Sequence, residues 1–224
     1  MNERRIKLAA LAIWLVSFFG TQPLSNYYNE HFQPNYRNRS LADVMLDVLG
    51  DARTLLARYL WFKMDIMHEV LDDQKQPVFR QKDLIPLMRL STYLDPTFDD
   101  AYDTMAFDLW KGYGRTQQAY DLVMEGLNSI PNSYLLHFRA AFLAYQMQRW
   151  DIVMAQSRMA FALARDEFEH LNAVRFLYHT AVKTDNWQEG IAAGKIYLEM
   201  RPTAPGVAEQ LKKWEQAHPG QVLK

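Results

Sequence analysis

Several residue types that mark particular classes of protein are absent or scarce in this sequence. The 224 residues include no cysteine, which excludes disulfides, thiolate metal sites, a cysteine nucleophile and a thioether lipid anchor. Glycine and proline number nine each, and the turn pairs Asn-Gly and Asp-Gly are missing, so an all-β fold is disfavoured. Acidic and basic residues nearly cancel, 26 against 25, which leaves no strong field for binding nucleic acid.

Catalytic signatures are missing as well. The sequence has no phosphate-binding glycine loop, no Gly-x-Ser-x-Gly turn and no His-Glu-x-x-His helix. The best candidate for a metal site is DIMHEVLDD, in which Asp65, His68 and Asp72 share one face of a predicted helix. Such residues are also common on solvated, salt-bridged faces, which is the interpretation that we favour. We therefore predict a protein that is not an enzyme and has no cofactor.

The amino terminus carries the pattern of an export signal or a membrane anchor. Arg4 and Arg5 precede an uncharged, predominantly apolar run at residues 8–19. This run suits the core of a cleaved signal peptide, but Phe18 and its neighbours obstruct the small-residue frames that signal peptidase needs. We expect residues 1–25 to form an uncleaved anchor that spans the membrane once and leaves the rest of the chain on the extracytoplasmic (periplasmic) side. Cleavage is the alternative.

The spacing of three prolines indicates the organisation of the remaining chain. Pro96, Pro131 and Pro202 each follow an apolar helical run, and they are 35 and 71 residues apart. The second gap is about twice the first. Because proline cannot continue a helix, this spacing predicts helix ends at a regular interval. Residues 51–202 contain paired amphipathic helices that recur at intervals of 34 to 37 residues, a pattern typical of a helical solenoid with about four units.

The segments on either side have different patterns. Residues 26–50 are predicted to form a linker followed by a short amphipathic helix. Residues 203–224 are predicted to form a capping helix and a tail, because Val207, Leu211 and Trp214 lie on one side of the helix and charged residues lie on the other.

The paired helices resemble tetratricopeptide repeats, which favour a large residue early in the first helix, a small residue one turn later and another small residue in the second helix. In units that start at Asp99, Tyr134 and Leu171, these positions hold Tyr102, His137 and Val174, then Ala106, Ala141 and Tyr178, then Ala119, Val153 and Gly190. Tyr178 and Val153 depart from the pattern because they are bulky. The resemblance implies an all-α, right-handed solenoid, with a diverged first unit that begins near residue 51.

The resemblance also implies a binding surface. In tetratricopeptide repeats, fixed positions of the first helices line a concave groove. The groove residues that we expect here are Asp103, Phe107, Trp110, Phe138, Phe142, Tyr145, Arg175 and His179. They would form an aromatic wall between an acidic end and a basic end, and aromatic anchors dominate the energetics of interfaces. The lysine and asparagine residues of repeats that clamp a chaperone's C-terminal carboxylate are absent from these positions.

These features favour a membrane-anchored scaffold that binds partner proteins, themselves associated with the membrane, through the groove. Three alternatives stay open. In the first, the chain is a constitutive accessory subunit of a large membrane complex, such as a secretion, pilus, respiratory or photosynthetic assembly. In the second, the groove is filled by the chain's own short helix at residues 41–49 or by the end of the linker before it. In the third, Asp65, His68 and Asp72 carry catalysis or hold a metal ion.

Overall fold

The regular structure of the described residues is entirely helical. A computed structural model describes residues 48–73 and 84–219, and the all-α prediction is confirmed for them. The helices are α1 (Ala52–Asp73), α2 (Leu84–Leu94), α3 (Asp99–Lys111), α4 (Thr116–Ser129), α5 (Tyr134–Gln146), α6 (Trp150–Leu163), α7 (Glu167–Thr184), α8 (Trp187–Met200) and α9 (Val207–Ala217). All of them belong to one compact unit, Asp51–Lys224.

The predicted anchor at residues 1–25 and most of the predicted linker lie outside the described residues. Within residues 48–73 and 84–219, no helix combines the length and the apolar character that a membrane crossing requires.

Each helix packs against the one that follows it in the chain. In addition, α3 contacts α5, and α5 contacts α7. These three are the first helices of the predicted pairs, so their neighbouring surfaces form one continuous face. The second helices α4, α6 and α8 are linked to other parts of the fold by surface ion pairs, such as the one between Arg158 of α6 and Glu189 of α8.

The prolines act as the sequence predicts. Helices α2, α4 and α8 each end two residues before Pro96, Pro131 and Pro202, respectively. The residue that precedes a proline is sterically driven out of the helical region, and proline itself has no amide hydrogen to donate. Ser133 then caps α5, because its hydroxyl accepts a hydrogen bond from the amide of Leu136.

Helix α7 begins earlier than the predicted unit start at Leu171. Asp166 accepts a hydrogen bond from the Glu169 amide at 2.8 Å, and the Glu169 carboxylate accepts one from the Arg165 amide at 2.7 Å. This exchange is similar to a capping box and supplies a helix start without a proline. The residues DEFE carry that signal in the sequence, and it adds a full turn to α7 at Glu167.

Burial confirms the register of the predicted core positions. The large and small positions of the first helices are all buried: Tyr102, His137, Val174, Ala106, Ala141 and Tyr178. The small positions of the second helices are buried too. His137 has a polar neighbour at each ring nitrogen, since its Nε2 lies 3.0 Å from the Pro131 carbonyl oxygen and its Nδ1 lies 2.6 Å from Gln156 Oε1.

The last helix closes the described fold. Val207, Leu211 and Trp214 are buried, as the amphipathic pattern predicts. The Trp214 ring lies directly on Gly190 of α8, where an added Cβ would come within 2.4 Å of two ring carbons. The Trp214 indole N–H also donates to Asp185 Oδ1 at 3.3 Å. A glycine is therefore required at position 190 for α9 to pack in this position.

Candidate functional site

Six aromatic side chains lie across the first helices α3, α5 and α7. We call them the aromatic row: Phe107, Trp110, Phe138, Phe142, Tyr145 and Phe176. Trp110 meets Phe142 edge to face, with ring centroids 4.6 Å apart, and Phe107 meets Trp110 at 5.6 Å. Edge-to-face pairs of this kind stabilise by about 0.5–1.5 kcal/mol beyond the area that they bury. The structure therefore brings together the five aromatic residues that the sequence predicts, in one contiguous surface.

Phe176 is the member of the row that the sequence analysis misses. Its ring centroid lies 5.2 Å from that of Phe138, 6.5 Å from that of Phe142 and 5.8 Å from that of Tyr145. It therefore joins the aromatic residues of α5 to α7. In the sequence, the signal for Phe176 is its aromatic character directly after the predicted groove residue Arg175.

Arg139 occupies the position in α5 that Phe176 occupies in α7. It packs against α3, as Phe176 packs against α5. Its guanidinium carbon lies 5.2 Å from the centroid of the Phe107 ring and 5.6 Å from that of Phe142, so it sits between two members of the row. The same side chain donates to both carboxylate oxygens of Asp103, at 2.5 and 2.8 Å. The successive first helices are thus offset so that this position packs onto the helix before it.

The ion pair changes the electrostatics expected at the acidic end of the row. Asp103 and Arg139 retain only 15% and 20% of their side-chain exposure, and the pair is bidentate, which is the strong geometry for a guanidinium and a carboxylate. The charge of Asp103 is therefore balanced within the chain. Its structural role is to hold α3 against α5.

The other end of the row opens into a pocket of about 380 Å³. Its lining residues are Tyr145, Arg175, Phe176, His179, Val182 and Lys183. The structure thus brings three predicted groove residues, Tyr145, Arg175 and His179, to one concavity. Pockets that bind small ligands span about 300–1,000 Å³, so this one lies at the lower end of that range.

His179 lies at the pocket wall, where its surroundings disfavour the charged form of its ring. The residue is exposed overall, but its ring packs against those of Tyr178 and Tyr197. Desolvation by burial lowers the pKa of His179 below its ordinary value of 6.5, and the positive charge of Arg175 lowers it further. The fixed positive charge of the pocket therefore comes from Arg175 and Lys183.

Helix α1 presents a second exposed apolar surface. Leu55, Tyr59, Phe62 and Ile66 are 41–72% exposed, and their spacing places them on one face of the helix. We call this face the α1 stripe. Contiguous exposed apolar surface on a protein commonly marks a site of association.

The candidate metal residues Asp65, His68 and Asp72 belong to α1, but their side chains lie outside those that the structure describes. Among the side chains that it does describe, no group of three histidine, aspartate or glutamate residues is placed to hold a metal ion.

A comparison with protein-family models finds no match for this chain, and a comparison with curated proteins finds none either.

Proposed function

We propose that the chain is a non-enzymatic, membrane-anchored scaffold that binds a segment of a partner protein across the aromatic row. The helix pairs would form a right-handed solenoid of tetratricopeptide type, with the first helices on its concave side. Residues 1–25 would anchor it in the membrane, and the helical unit would lie on the periplasmic side.

The observation that carries this proposal is the aromatic row itself. Its side chains pack against one another but are not fully buried, and Phe107 remains 40% exposed. Aromatic side chains held in fixed positions lose little conformational entropy when a partner binds, so they make efficient anchors. A helical or extended peptide would lie across α3, α5 and α7 and bury the exposed part of the row.

The regular offset between the first helices supports the solenoid. Arg139 packs onto Asp103 and Phe107 of the preceding pair, and Phe176 packs onto Phe138 and Phe142 of its own preceding pair. A contact that recurs from pair to pair is typical of repeat proteins, in which each unit is stabilised by its neighbours.

The α1 stripe favours a second candidate function, a constitutive subunit of a larger membrane complex. In such a complex, Leu55, Tyr59, Phe62 and Ile66 would be buried permanently against another subunit. A subunit of this kind would co-purify in a fixed ratio with its complex, whereas a scaffold that binds through the row would dissociate on dilution.

A pair of matched substitutions distinguishes the two functions. Phe107→Ala removes an exposed aromatic side chain from the row, and Phe62→Ala removes one from the α1 stripe, with exposures of 40% and 57%. The full-length variants would be purified from gently solubilised native membranes, and bound proteins would be quantified by mass spectrometry. A central aromatic anchor contributes about 2 kcal/mol or more to binding, so we expect Phe107→Ala to reduce the bound partner by tenfold or more.

The control variant Phe62→Ala should leave the bound partner unchanged. Loss of the partner from the Phe62 variant alone would instead support the constitutive subunit. An unchanged set of bound proteins in a folded Phe107 variant would overturn the scaffold proposal.

A further inference from the structure

The pocket at the end of the aromatic row has an apolar floor and a cationic rim. Phe176, Tyr145 and Val182 supply the apolar surface, and Val182 is 40% exposed. Arg175 and Lys183 are exposed lining residues, which we call the rim, and no carboxylate is among the lining residues. Both cations are on one face of α7, eight positions apart.

The two rim cations lack acidic partners in the described part of the chain. Arg175 donates only to the neutral side-chain oxygen of Asn172, at 3.3 Å, and Lys183 has no hydrogen bond or ion pair with another described residue. In contrast, Arg89, Arg158 and Arg139, which contacts the row, each pair with a carboxylate at 2.5–2.8 Å. The pocket therefore carries positive charge that the surrounding residues leave uncompensated.

The distance between the cations limits the shape of a complementary ligand. Eight residues of α-helix rise about 12 Å along the axis, and about four residues of an extended peptide cover the same distance. A peptide whose apolar side chain enters the pocket would thus place residues two positions before and two positions after it beside the rim.

We propose that the pocket binds an extended acidic segment of a partner protein, in which one apolar side chain fills the cavity and flanking carboxylates meet Arg175 and Lys183. This inference rests on the proposed function and specifies the chemistry of the partner. The apolar contact supplies most of the affinity, and the two charges select the sequence, because charges at the rim of an interface contribute more to specificity than to affinity.

Synthetic peptides test this selection directly. The full-length chain would be held in nanodiscs of zwitterionic lipid, and binding would be followed by the anisotropy of fluorescein-labelled peptides, with empty nanodiscs as the blank. The probes are Glu-Ala-Leu-Ala-Glu, its lysine counterpart Lys-Ala-Leu-Ala-Lys, and Glu-Ala-Ser-Ala-Glu, each acetylated and amidated. We expect the first to bind about tenfold more tightly than either of the others.

Charge reversal of the rim provides the second arm. The double variant Arg175→Glu, Lys183→Glu should lose the preference for the glutamate peptide and gain affinity for the lysine peptide. The matched control is Lys212→Glu, Lys213→Glu on α9, which changes the net charge equally at two exposed positions. The control should bind the three peptides as the unaltered chain does, which excludes a general effect of net charge.

The outcomes separate this inference from the proposed function. Equal binding of the glutamate and lysine peptides, or an unaffected rim variant, would overturn the charge selection and leave the aromatic scaffold standing. Binding of none of the three peptides would overturn the inference, while the Phe107 experiment would still decide on the scaffold. Binding of the serine peptide as tightly as the leucine peptide would refute the role of the apolar cavity.

Discussion

The ion pair between Asp103 and Arg139 should couple α3 to α5 more strongly than a surface ion pair would. Its hydrogen bonds measure 2.5 and 2.8 Å, and its side chains are 15% and 20% exposed. An exposed pair contributes about 0.2–1 kcal/mol to stability, whereas loss of one partner of a buried pair costs about 3–5 kcal/mol. With exposure between these limits, we expect a coupling energy of about 2 kcal/mol.

A double-mutant cycle measures that coupling. Asp103→Ala, Arg139→Ala and the double variant would be unfolded in urea, followed by far-UV circular dichroism. Each single substitution should lower the free energy of unfolding by about 2–3 kcal/mol, because it leaves a charge without its partner. Arg139→Ala should be the more damaging, since it also removes the guanidinium contacts to Phe107 and Phe142, at about 0.5–1 kcal/mol each.

The bidentate pair of Arg158 and Glu189 is a matched control. It has similar hydrogen bonds, at 2.9 and 2.8 Å, but its side chains are 54% and 24% exposed. Its coupling energy should stay below about 1 kcal/mol. Equal coupling in the two cycles, or additive effects at Asp103 and Arg139 within about 0.5 kcal/mol, would show that burial does not strengthen the pair on the aromatic row.

Two further predictions concern α8 and α7. Gly190→Ala should lower the free energy of unfolding by about 1–2 kcal/mol relative to Gly194→Ala. The new Cβ at position 190 meets the rigid ring of Trp214 at 2.4 Å, whereas the nearest atom to the new Cβ at position 194 is the end of a leucine side chain at 2.7 Å. Equal urea midpoints for the two variants would contradict the packing of α9. The lowered pKa of His179 means that the folded state binds fewer protons than the unfolded state in the pH range between the folded pKa and about 6.5. Its contribution therefore reduces stability as the pH falls through 6.5 toward the folded pKa, and His179→Gln should show a smaller loss of thermal stability between neutral and mildly acidic pH; parallel pH profiles for the two proteins would refute this.

The sequence predicts the helices and their buried positions well because both depend on local patterns. The proline that lies two residues beyond each of three helices can be recognised in the sequence alone. The same is true of the helical spacing that predicts the burial of Tyr102, His137 and Val174. Position 178 holds a tyrosine where the repeat pattern favours a small residue, yet it is buried like Ala141 at the same position of the preceding pair, so the spacing predicts burial even where the residue type does not.

The residues that the sequence analysis misses are those whose role depends on how helices stack. Phe176 joins the row and Arg139 packs against it because each first helix is offset against the one before it. That offset comes from three-dimensional packing, which spacing within one helix does not encode. For the same reason, the sequence predicts that Asp103 gives the groove an acidic end, although in the structure its charge is balanced by Arg139.

Site-specific photo-crosslinking tests the proposed binding surface most directly. Benzoylphenylalanine would replace Phe107 in the row or Phe62 in the α1 stripe of the full-length chain, and native membranes would be irradiated before purification. If the aromatic row binds a partner, the probe at position 107 should give a discrete crosslink to another protein, and the probe at position 62 should not. Crosslinks from position 107 only to the chain's own residues 26–50, or crosslinks to other proteins only from position 62, would contradict partner binding by the row.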